Sequence, residues 1–250
     1  MRSRQNRGKR MSPIQQSAVR NDLLAALPPD DFARLAPALL PVRLDLKQTL
    51  HEPEQPIEAA YFPESGMVSL VARLEDGAAQ EVGLVGREGV VGLAVALGAE
   101  SVGTEALVQA DGAALRIDAD ELRAAFERST ALRALLLRYA QALHAQVSQT
   151  AACNGRHVVD ERLARWLLMA HDRADGDEFP MTQEFMAMML GVRRAGVSVA
   201  AGGLQKAGVI GHAYGRMTVL DRAGLEAASC ECYGAVRRQF ERLLGLPAGQ

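Results

Sequence analysis

Positively charged and hydroxyl side chains recur at helical spacing in one segment, residues 183–206, which reads QEFMAMMLGVRRAGVSVAAGGLQK. Arg193 and Arg194 carry planar guanidinium groups, each able to donate two parallel hydrogen bonds to guanine O6 and N7. Ser198 follows about one helical turn later and can reach a base edge or a phosphate. The alternative for the arginine pair is phosphate contact alone, which positions a protein on DNA without reading its sequence.

Four further side chains, at the ends of this segment or beside it, complete the predicted set of DNA contacts. Lys206 and Arg216 are expected to contact the DNA backbone, where a cation serves as a point charge. Thr182 and Gln183 stand at the start of the segment, where they can reach a phosphate. The segment therefore predicts a nucleic-acid interface that combines base readout with phosphate contacts.

Two short helices must hold these side chains. Ala187 lies four residues before Gly191, and Val197 follows six residues after that glycine. Such spacing predicts a helix-turn-helix, because close crossing requires a small residue and the turn favours a glycine in a left-handed conformation. The remaining apolar positions, expected to pack the helix pair on the domain, are Met186, Leu190, Val192 and Ala200.

The flanking residues predict a winged form of this motif. Thr182 can cap the first helix by accepting a hydrogen bond from a free backbone N–H. Strand-like runs at 209–210 and 217–220, separated by the turn residues HAYG, predict a hairpin directly after the second helix. The alternative is a helical core segment followed by an unrelated hairpin. Gly202 and Gly203 predict a frayed helix end or a close-packing site.

Length and charge limit the classes of partner. The 250 residues suit two modest domains, and the formal net charge is −2. From residue 156 to the end, twelve Lys and Arg face eleven Asp and Glu, so any basic surface must be a local patch. No apolar run approaches the roughly 20 residues of a membrane span, and no secretory signal is recognisable, so we expect a cytoplasmic protein without a membrane partner.

The N-terminal segment is basic. It begins MRSRQNRGKR, and we expect residues 1–20 to form a disordered tail, with Met11 as an alternative start of the chain. A DNA-touching arm is the other interpretation of the same charges.

The chain contains three cysteines, and this odd number fits a protein of a reducing compartment without a disulfide framework. Cys230 and Cys232 are close in sequence, whereas Cys153 is distant and pairs at helical spacing only with His157. Two ligands do not make a tetrahedral site, so we expect no metal and no cofactor.

The N-terminal half predicts a domain of mainly β-structure over residues 21–128. Residues 21–40 are helical in pattern and are broken by Pro28 and Pro29. From residue 42 to 118, short β-type runs alternate with glycines, which predicts a compact β-roll of about eight strands. Asp118 is expected to cap the next helix, with Glu121 in the capping-box position.

A long helix is predicted next, within residues 129–158. Apolar residues recur at spacings of three and four and predict a coiled-coil dimer seam, with the members Leu132, Leu136, Tyr139, Leu143 and Val147. The alternative is burial of this stripe against the chain's own β-roll. Asp160 is expected to cap the following helix, which opens a DNA-binding domain over residues 159–250.

This order of domains, with the motifs VVDERLARWLLMAHDR and MTQEFMAMMLGVRRAGVSVAAGGLQKAGVI, resembles the Crp/Fnr superfamily of bacterial transcription regulators. The resemblance covers nearly the whole chain after Asn21. It implies an α+β protein with an N-terminal cyclic-nucleotide-binding-like β-roll, a long dimerisation helix and a C-terminal winged helix-turn-helix. It further implies a homodimer on a two-fold symmetric DNA site, with RNA polymerase as a further partner.

The departures from the family pattern concern the ligand. Cyclic-AMP-binding members carry a Gly-Glu pair for the ribose and a later arginine for the cyclic phosphate. Here Leu93 follows Gly92, and the loop from Gly98 to Leu107 contains no arginine. A buried phosphate without a cationic partner is costly to desolvate. We therefore expect that cyclic AMP does not control this protein.

The second helix also departs from the better-known members. Arg194 matches their first arginine, whereas Ala195 and Val199 replace a glutamate and a second arginine. The sequence predicts a homodimeric, sequence-specific DNA-binding transcription regulator. The alternative is a small-molecule-sensing module whose helix-turn-helix contacts protein. We find no catalytic motif and expect no enzyme activity.

Overall fold

A computed structural model describes residues 14–245 of the chain. It shows an α+β protein in which an N-terminal β-roll and a C-terminal helix-turn-helix domain are joined by one long helix. Residues 1–13 of the expected basic tail lie outside the described residues. Residues 14–20 do not form a free tail, because a 3-10 helix spans Gln16–Ala18 and Arg20 pairs with Asp175 at 2.5 Å.

Nine α-helices lie in the described part of the chain. In order they are α1 Asp22–Ala25, α2 Pro29–Leu35, α3 Ala119–Arg128, α4 Thr130–Arg156, α5 Val159–His171, α6 Gln183–Leu190, α7 Arg194–Lys206, α8 Arg222–Ala228 and α9 Cys232–Leu244. The predicted break at the two prolines is confirmed, since Pro29 occupies the first turn of α2. None of the helices in residues 14–245 combines the length and apolar character that a membrane crossing requires.

The β-roll is a single five-stranded antiparallel sheet. Its strands are β1 Leu40–Leu44, β2 Thr49–His51, β3 Ala59–Arg73, β4 Ala79–Val85 and β5 Thr104–Asp118, in the order β1-β5-β3-β4, with β2 also paired to β5. The prediction of about eight strands was wrong, because β3 and β5 each join two short runs into one bent strand. Register shifts mark the bend near Gly66, which has a φ of 75°.

The capping of α3 differs from the prediction. Asp118 occupies the N-cap position, but its side chain accepts no capping hydrogen bond. Its carboxylate instead pairs with Arg116 Nη1 at 2.7 Å, which leaves the predicted capping box unformed. Ser129 caps α4 by accepting from the backbone N–H of Leu132 at 3.0 Å.

The predicted dimer seam of α4 lies mostly inside the chain's own core. Leu132, Leu136 and Tyr139 are fully buried, Leu143 packs beside them against the β-roll, and Val147 is half-buried. The stripe therefore follows the alternative interpretation, burial against the chain's own sheet. The exposed side of α4 carries a different set of residues, namely Ala134, Leu137, Arg138, Gln141, His144, Ser148, Ala151 and Ala152.

Helix α5 begins two residues earlier than predicted, with Val158 rather than Asp160 at the N-cap position. One apolar stripe of α5 is buried, with the members Leu163, Trp166, Leu167 and Ala170. These side chains join residues of β3 and β4 in one hydrophobic core, so the helix-turn-helix domain packs directly on the β-roll.

The predicted hairpin is confirmed, and it gains a third strand. Strands β7 Ile210–Ala213 and β8 Arg216–Val219 form the hairpin, and β6 Glu178–Pro180 pairs with β8 on its other side. The register aligns Phe179 with Met217, and both side chains are buried in the domain core.

The C-terminal helix α9 packs along α4. Its apolar residues Val236 and Phe240 enter the same core as the buried face of α4. Cys232 at the start of α9 lies next to Gln149 of α4, so the two helices run in opposite directions.

Candidate nucleic-acid interface

The helix-turn-helix forms with the predicted turn. Thr182 caps α6, since its hydroxyl accepts from the backbone N–H of Phe185 at 3.1 Å. Gly191 ends α6 in a left-handed conformation with φ 61°. A side chain at that position would strain the backbone and would also meet Gln80 of the β-roll at 2.9 Å.

The recognition helix α7 has one buried and one open face. Val197, Ala200 and Leu204 are buried against the domain core, as the predicted packing requires. The exposed face, including the N-cap Arg193, carries two arginines, small residues, one aliphatic side chain and two polar residues at its end, namely Arg193, Arg194, Ala195, Gly196, Val199, Gly202, Gly203, Gln205 and Lys206. An outer face of small residues can approach a groove closely, because little side-chain bulk separates the helix from the base edges.

Three predicted DNA contacts are available to a ligand. Arg193, Arg194 and Lys206 are exposed, and none of them forms an ion pair within residues 14–245. The other cations of the domain are largely engaged: Arg173 pairs with Glu88, for example, at 2.7 Å. The nearly neutral domain therefore presents a local positive patch at the two ends of α7.

The other predicted contacts are already partnered in this structure. Ser198 is half-buried, and its hydroxyl donates to Gln183 Oε1 at 2.9 Å, which ties α7 to α6. Arg216 lies on the hairpin and pairs with Glu178, so part of its charge is offset. Thr182 is exposed at the start of α6 beside Gln183.

Two exposed side chains were not among the predicted contacts. Tyr214 sits at the hairpin tip, fully exposed, and both Tyr214 and Gly215 have positive φ angles. This is a two-residue turn that holds an aromatic ring away from the domain. Val199 is 74% exposed on the open face of α7. The sequence contains a signal for the exposure of Tyr214. A bulky residue before a glycine in a tight hairpin turn lies away from the core, so its side chain is exposed.

Gly202 and Gly203 fit neither of their predicted roles. Helix α7 continues through both glycines to Lys206, so they do not mark a frayed end. A side chain at either position would have no neighbour within 4 Å, so they do not mark close packing. Both glycines lie on the open face of the recognition helix.

The β-roll interior is apolar where a cyclic nucleotide would require charge. Gly92 has a positive φ of 83°, a side chain there would meet the carbonyl oxygen of Ala59 at 2.9 Å, and Leu93 after it is buried. Among the described residues, the arginines with buried side chains are Arg162, Arg165 and Arg173, which belong to α5 or to the segment just after it rather than to the β-roll. This interior therefore lacks a cationic partner for a phosphate.

The structure brings together three cysteines and a histidine that the sequence analysis treated separately. Cys153, His157, Cys230 and Cys232 place their ligand atoms within 4.8 Å of one another, and we call them the cysteine–histidine cluster. It forms because α9 folds back along α4. The expectation that only two potential ligands would meet was wrong. Spacing along the chain does not reveal that α9 packs back along α4 and brings Cys230 and Cys232 to Cys153 and His157.

One buried carboxyl group links the β-roll to the helix-turn-helix domain. Glu81 of β4 accepts a hydrogen bond from Trp166 Nε1 at 2.7 Å and another from the Ser69 hydroxyl at 2.6 Å. Burial raises the pKa of Glu81 to about 7, although these hydrogen bonds and the charges of Arg173 and Arg165 oppose the change. The carboxyl group therefore titrates near neutral pH.

We predict that Glu81→Gln makes the protein less sensitive to rising pH. The native state holds this proton more tightly than the unfolded chain, whose glutamate has a pKa near 4.5. The stabilisation is therefore complete below that value and is lost as the pH rises through about 7, by up to roughly 3 kcal/mol. Urea unfolding at pH 5 and pH 8 should show a smaller pH difference for the variant than for the wild type. Glu127→Gln, an exposed control, should match the wild type, and an unchanged Glu81→Gln profile would refute the prediction.

Comparison with known families matches two parts of the chain. Residues 161–228 match the Crp-like helix-turn-helix domain, and residues 41–129 match the cyclic nucleotide-binding domain. The two matches together cover more than half of the chain and fall on the domains described above. No curated protein sequence matches the chain.

Solved structures of transcription regulators share the fold. FixK2 from Bradyrhizobium japonicum is 20% identical, with a TM-score of 0.66, over 77% of this chain and 98% of that one. A CRP/FNR family regulator from Thermus thermophilus is 20% identical, with a TM-score of 0.62, over 76% of this chain and 98% of that one. The c-di-GMP-responsive regulator CLP from Xanthomonas campestris is 15% identical, with a TM-score of 0.61, over 76% and 98%. With its β-roll, long helix and winged helix-turn-helix in this order, the chain belongs to the Crp/Fnr superfamily of transcription regulators.

Proposed function

We propose that this protein is a homodimeric, sequence-specific DNA-binding transcription regulator. The observation that carries the proposal is the open face of α7, where Arg193 and Arg194 stand exposed and without ion-pair partners among residues 14–245. A helix with this geometry fits the major groove, and its N-terminal residues reach the base edges. Sequence specificity follows from those contacts, while affinity follows from the phosphate contacts.

Arg194 is the proposed base reader. It is the first residue of α7, and its guanidinium group fits the O6 and N7 acceptors of guanine. The exposed methyl groups of Ala195 and Val199 continue the same face, and apolar groups of this kind contact the thymine methyl. The proposed operator therefore combines a guanine near the start of α7 with a thymine one helical turn further on.

The remaining contacts are proposed to hold the DNA backbone. Lys206 ends α7, and Thr182 starts α6, so the two lie at opposite ends of the motif. Tyr214 and Arg216 belong to the hairpin, which can lie along the adjacent backbone as a wing. For Ser198 and Gln183 we propose a positioning role, because their mutual hydrogen bond fixes α7 relative to α6.

Dimerisation is proposed along the free face of α4. The face toward the β-roll is filled by Leu132, Leu136 and Tyr139, so it is not available to a second copy in this structure. The opposite face carries Leu137, which is 48% exposed on a 27-residue helix. Two such helices side by side would place the two recognition helices on two half-sites of symmetric DNA.

Control by cyclic AMP is not part of the proposed function. The position after Gly92 carries buried Leu93 instead of a carboxylate, and no arginine of the described β-roll is buried. We predict that titration calorimetry finds no binding of cyclic AMP at millimolar concentration, and that the nucleotide does not change DNA affinity. Micromolar binding, or a gain in DNA affinity with cyclic AMP, would contradict this prediction.

Selection of bound DNA from a random pool tests the proposed function. Recovery of a two-fold symmetric sequence with half-sites about 10 base pairs apart would support both DNA recognition and dimerisation. A pool that shows no enrichment would refute the proposal. Such an outcome would favour a sensing module whose helix-turn-helix contacts another protein.

A further inference from the structure

The cysteine–histidine cluster has the geometry of a metal site. Cys153 Sγ lies 3.5 Å from Cys230 Sγ, and Cys232 Sγ lies 3.5 Å from His157 Nδ1. In a tetrahedral zinc site with Zn–S near 2.3 Å and Zn–N near 2.0 Å, the ligand atoms are roughly 3.5–3.8 Å apart. All four ligand atoms lie within 4.8 Å of one another, which leaves room for one ion at their centre.

The chain supplies these ligands from two rigid elements. Cys153 lies in the last turn of α4, and His157 is the residue directly after that helix, with extended backbone. Cys230 and Cys232 flank the start of α9, separated by Glu231. The three cysteines are buried and form no disulfide in the described chain, so their sulfurs are free to bind a soft ion.

The surroundings of the cluster match those of a bound metal. His157 Nδ1 faces the sulfurs, whereas its Nε2 lies 3.3 Å from the carboxylate of Glu231. A carboxylate on the outer nitrogen fixes the tautomer of a metal-binding histidine and directs the other nitrogen to the ion. The amide of Gln149 donates to Cys232 Sγ at 3.0 Å, which supports a ligand sulfur from outside.

Positive charges stand beside the cluster. Three thiolates around one divalent ion have a net charge of −1, which requires nearby compensation. Arg165 Nη2 donates to the Thr150 hydroxyl at 2.9 Å, about one helical turn before Cys153. Arg165 is itself buried, and its Nε has no hydrogen-bond partner among the described residues. Arg162 is also close enough to interact with Cys153 and Cys230.

We propose that the cysteine–histidine cluster binds one zinc ion, which fastens α9 to the C-terminal end of α4. Binding forms three Zn–S bonds and one Zn–N bond, and the three thiols release their protons to the solvent. No oxidant or reductant takes part. Because α4 connects the β-roll to the DNA-binding domain, the ion holds the junction between them in one arrangement.

Cobalt binding to the reduced, metal-free full chain tests the proposal. Co²⁺ in tetrahedral sulfur and nitrogen coordination gives intense visible bands and a sulfur-to-cobalt charge-transfer band. We expect these bands to saturate at one Co²⁺ per chain and to disappear when one equivalent of Zn²⁺ is added. Absence of stoichiometric uptake, or spectra of six-coordinate Co²⁺ bound through oxygen, would overturn the proposal.

Variants assign the ligands. Glu231→Gln removes the hydrogen-bond partner of a ligand and should weaken Zn²⁺ binding by roughly 10–100-fold. Cys232→Ser and His157→Gln each remove a ligand and should weaken Zn²⁺ binding by more than that range. His144→Gln, an exposed histidine on the same helix, should bind as the wild type does. Circular dichroism identifies any variant that fails to fold, and the wild-type titration does not depend on variants. Unchanged affinity in folded Cys232→Ser would overturn the assignment.

Discussion

Replacing Arg194 by alanine is expected to weaken operator binding by about 1–3 kcal/mol at each half-site and to relax specificity at one symmetric pair of base positions. The side chain begins the recognition helix and has no ion pair among the described residues, so its guanidinium group is free to read a guanine. Affinities measured on the selected operator and on single-base variants at that position provide the test. The preference for guanine should disappear together with the affinity.

Lys206→Ala is the matched comparison for Arg194→Ala, because it removes one exposed cation from the other end of the same helix. It should weaken binding about equally on every sequence and reduce the salt dependence by about one counterion per subunit. Uniform weakening by Arg194→Ala would instead identify Arg194 as a phosphate contact. Base readout would then have to come from Arg193 or from Val199.

Leu137→Asp is expected to give monomers at micromolar concentration and to lower operator affinity by roughly 100-fold or more. Leu137 is the large apolar side chain on the free face of α4. If burying one aspartate in the interface costs about 2 kcal/mol of dimerisation free energy, the two copies together cost about 4 kcal/mol. Light scattering measures the oligomeric state, and fluorescence anisotropy measures operator affinity.

Leu46→Asp is the control for this prediction, since Leu46 has nearly the same exposure but lies in the β-roll. It should leave both the dimer and the affinity unchanged. Substitution of Leu136 would not serve, because that side chain is fully buried in the chain's own core and a charge there would destabilise the fold. A dimeric Leu137→Asp variant would exclude the proposed face of α4.

Three contacts connect the β-roll to the long helix and to the helix-turn-helix domain. Trp166 of α5 donates to Glu81 of the β-roll, and Arg173, just beyond α5, pairs with Glu88 at 2.7 Å. Gln146 of α4 also hydrogen-bonds the backbone of Leu84. Movement of strand β4 would therefore act on both the long helix and the DNA-binding domain.

The helix-turn-helix could be predicted because its determinants are local. Ala187, Gly191 and Val197 fix the crossing and the turn through spacing alone, and Thr182 caps the first helix as expected. The hairpin followed from the same kind of evidence. These elements depend on neighbours within a few residues, so the sequence pattern contains the necessary information.

Features that depend on distant contacts could not be predicted in the same way. The periodicity of α4 correctly indicated a buried apolar stripe. Periodicity alone does not show whether the stripe packs against a second copy of the protein or against the same chain. The bend at Gly66 lies within one strand, where two separate strands were predicted. A bulge there interrupts the alternation of apolar and polar residues but does not end the pairing between the strands. The cysteine–histidine cluster requires α9 to return along α4, and Cys153 is separated from Cys230 by 77 positions.

Binding of the full chain to its selected operator, compared with the same DNA carrying one scrambled half-site, tests the central claim most directly. Native mass spectrometry gives the stoichiometry of each complex, and anisotropy gives its affinity at fixed salt concentration. We predict two chains on the intact operator and a loss of several kcal/mol when one half-site is scrambled. Equal affinity for the two DNAs, or one chain bound to the intact operator, would contradict the account of a dimer that reads symmetric DNA through α7.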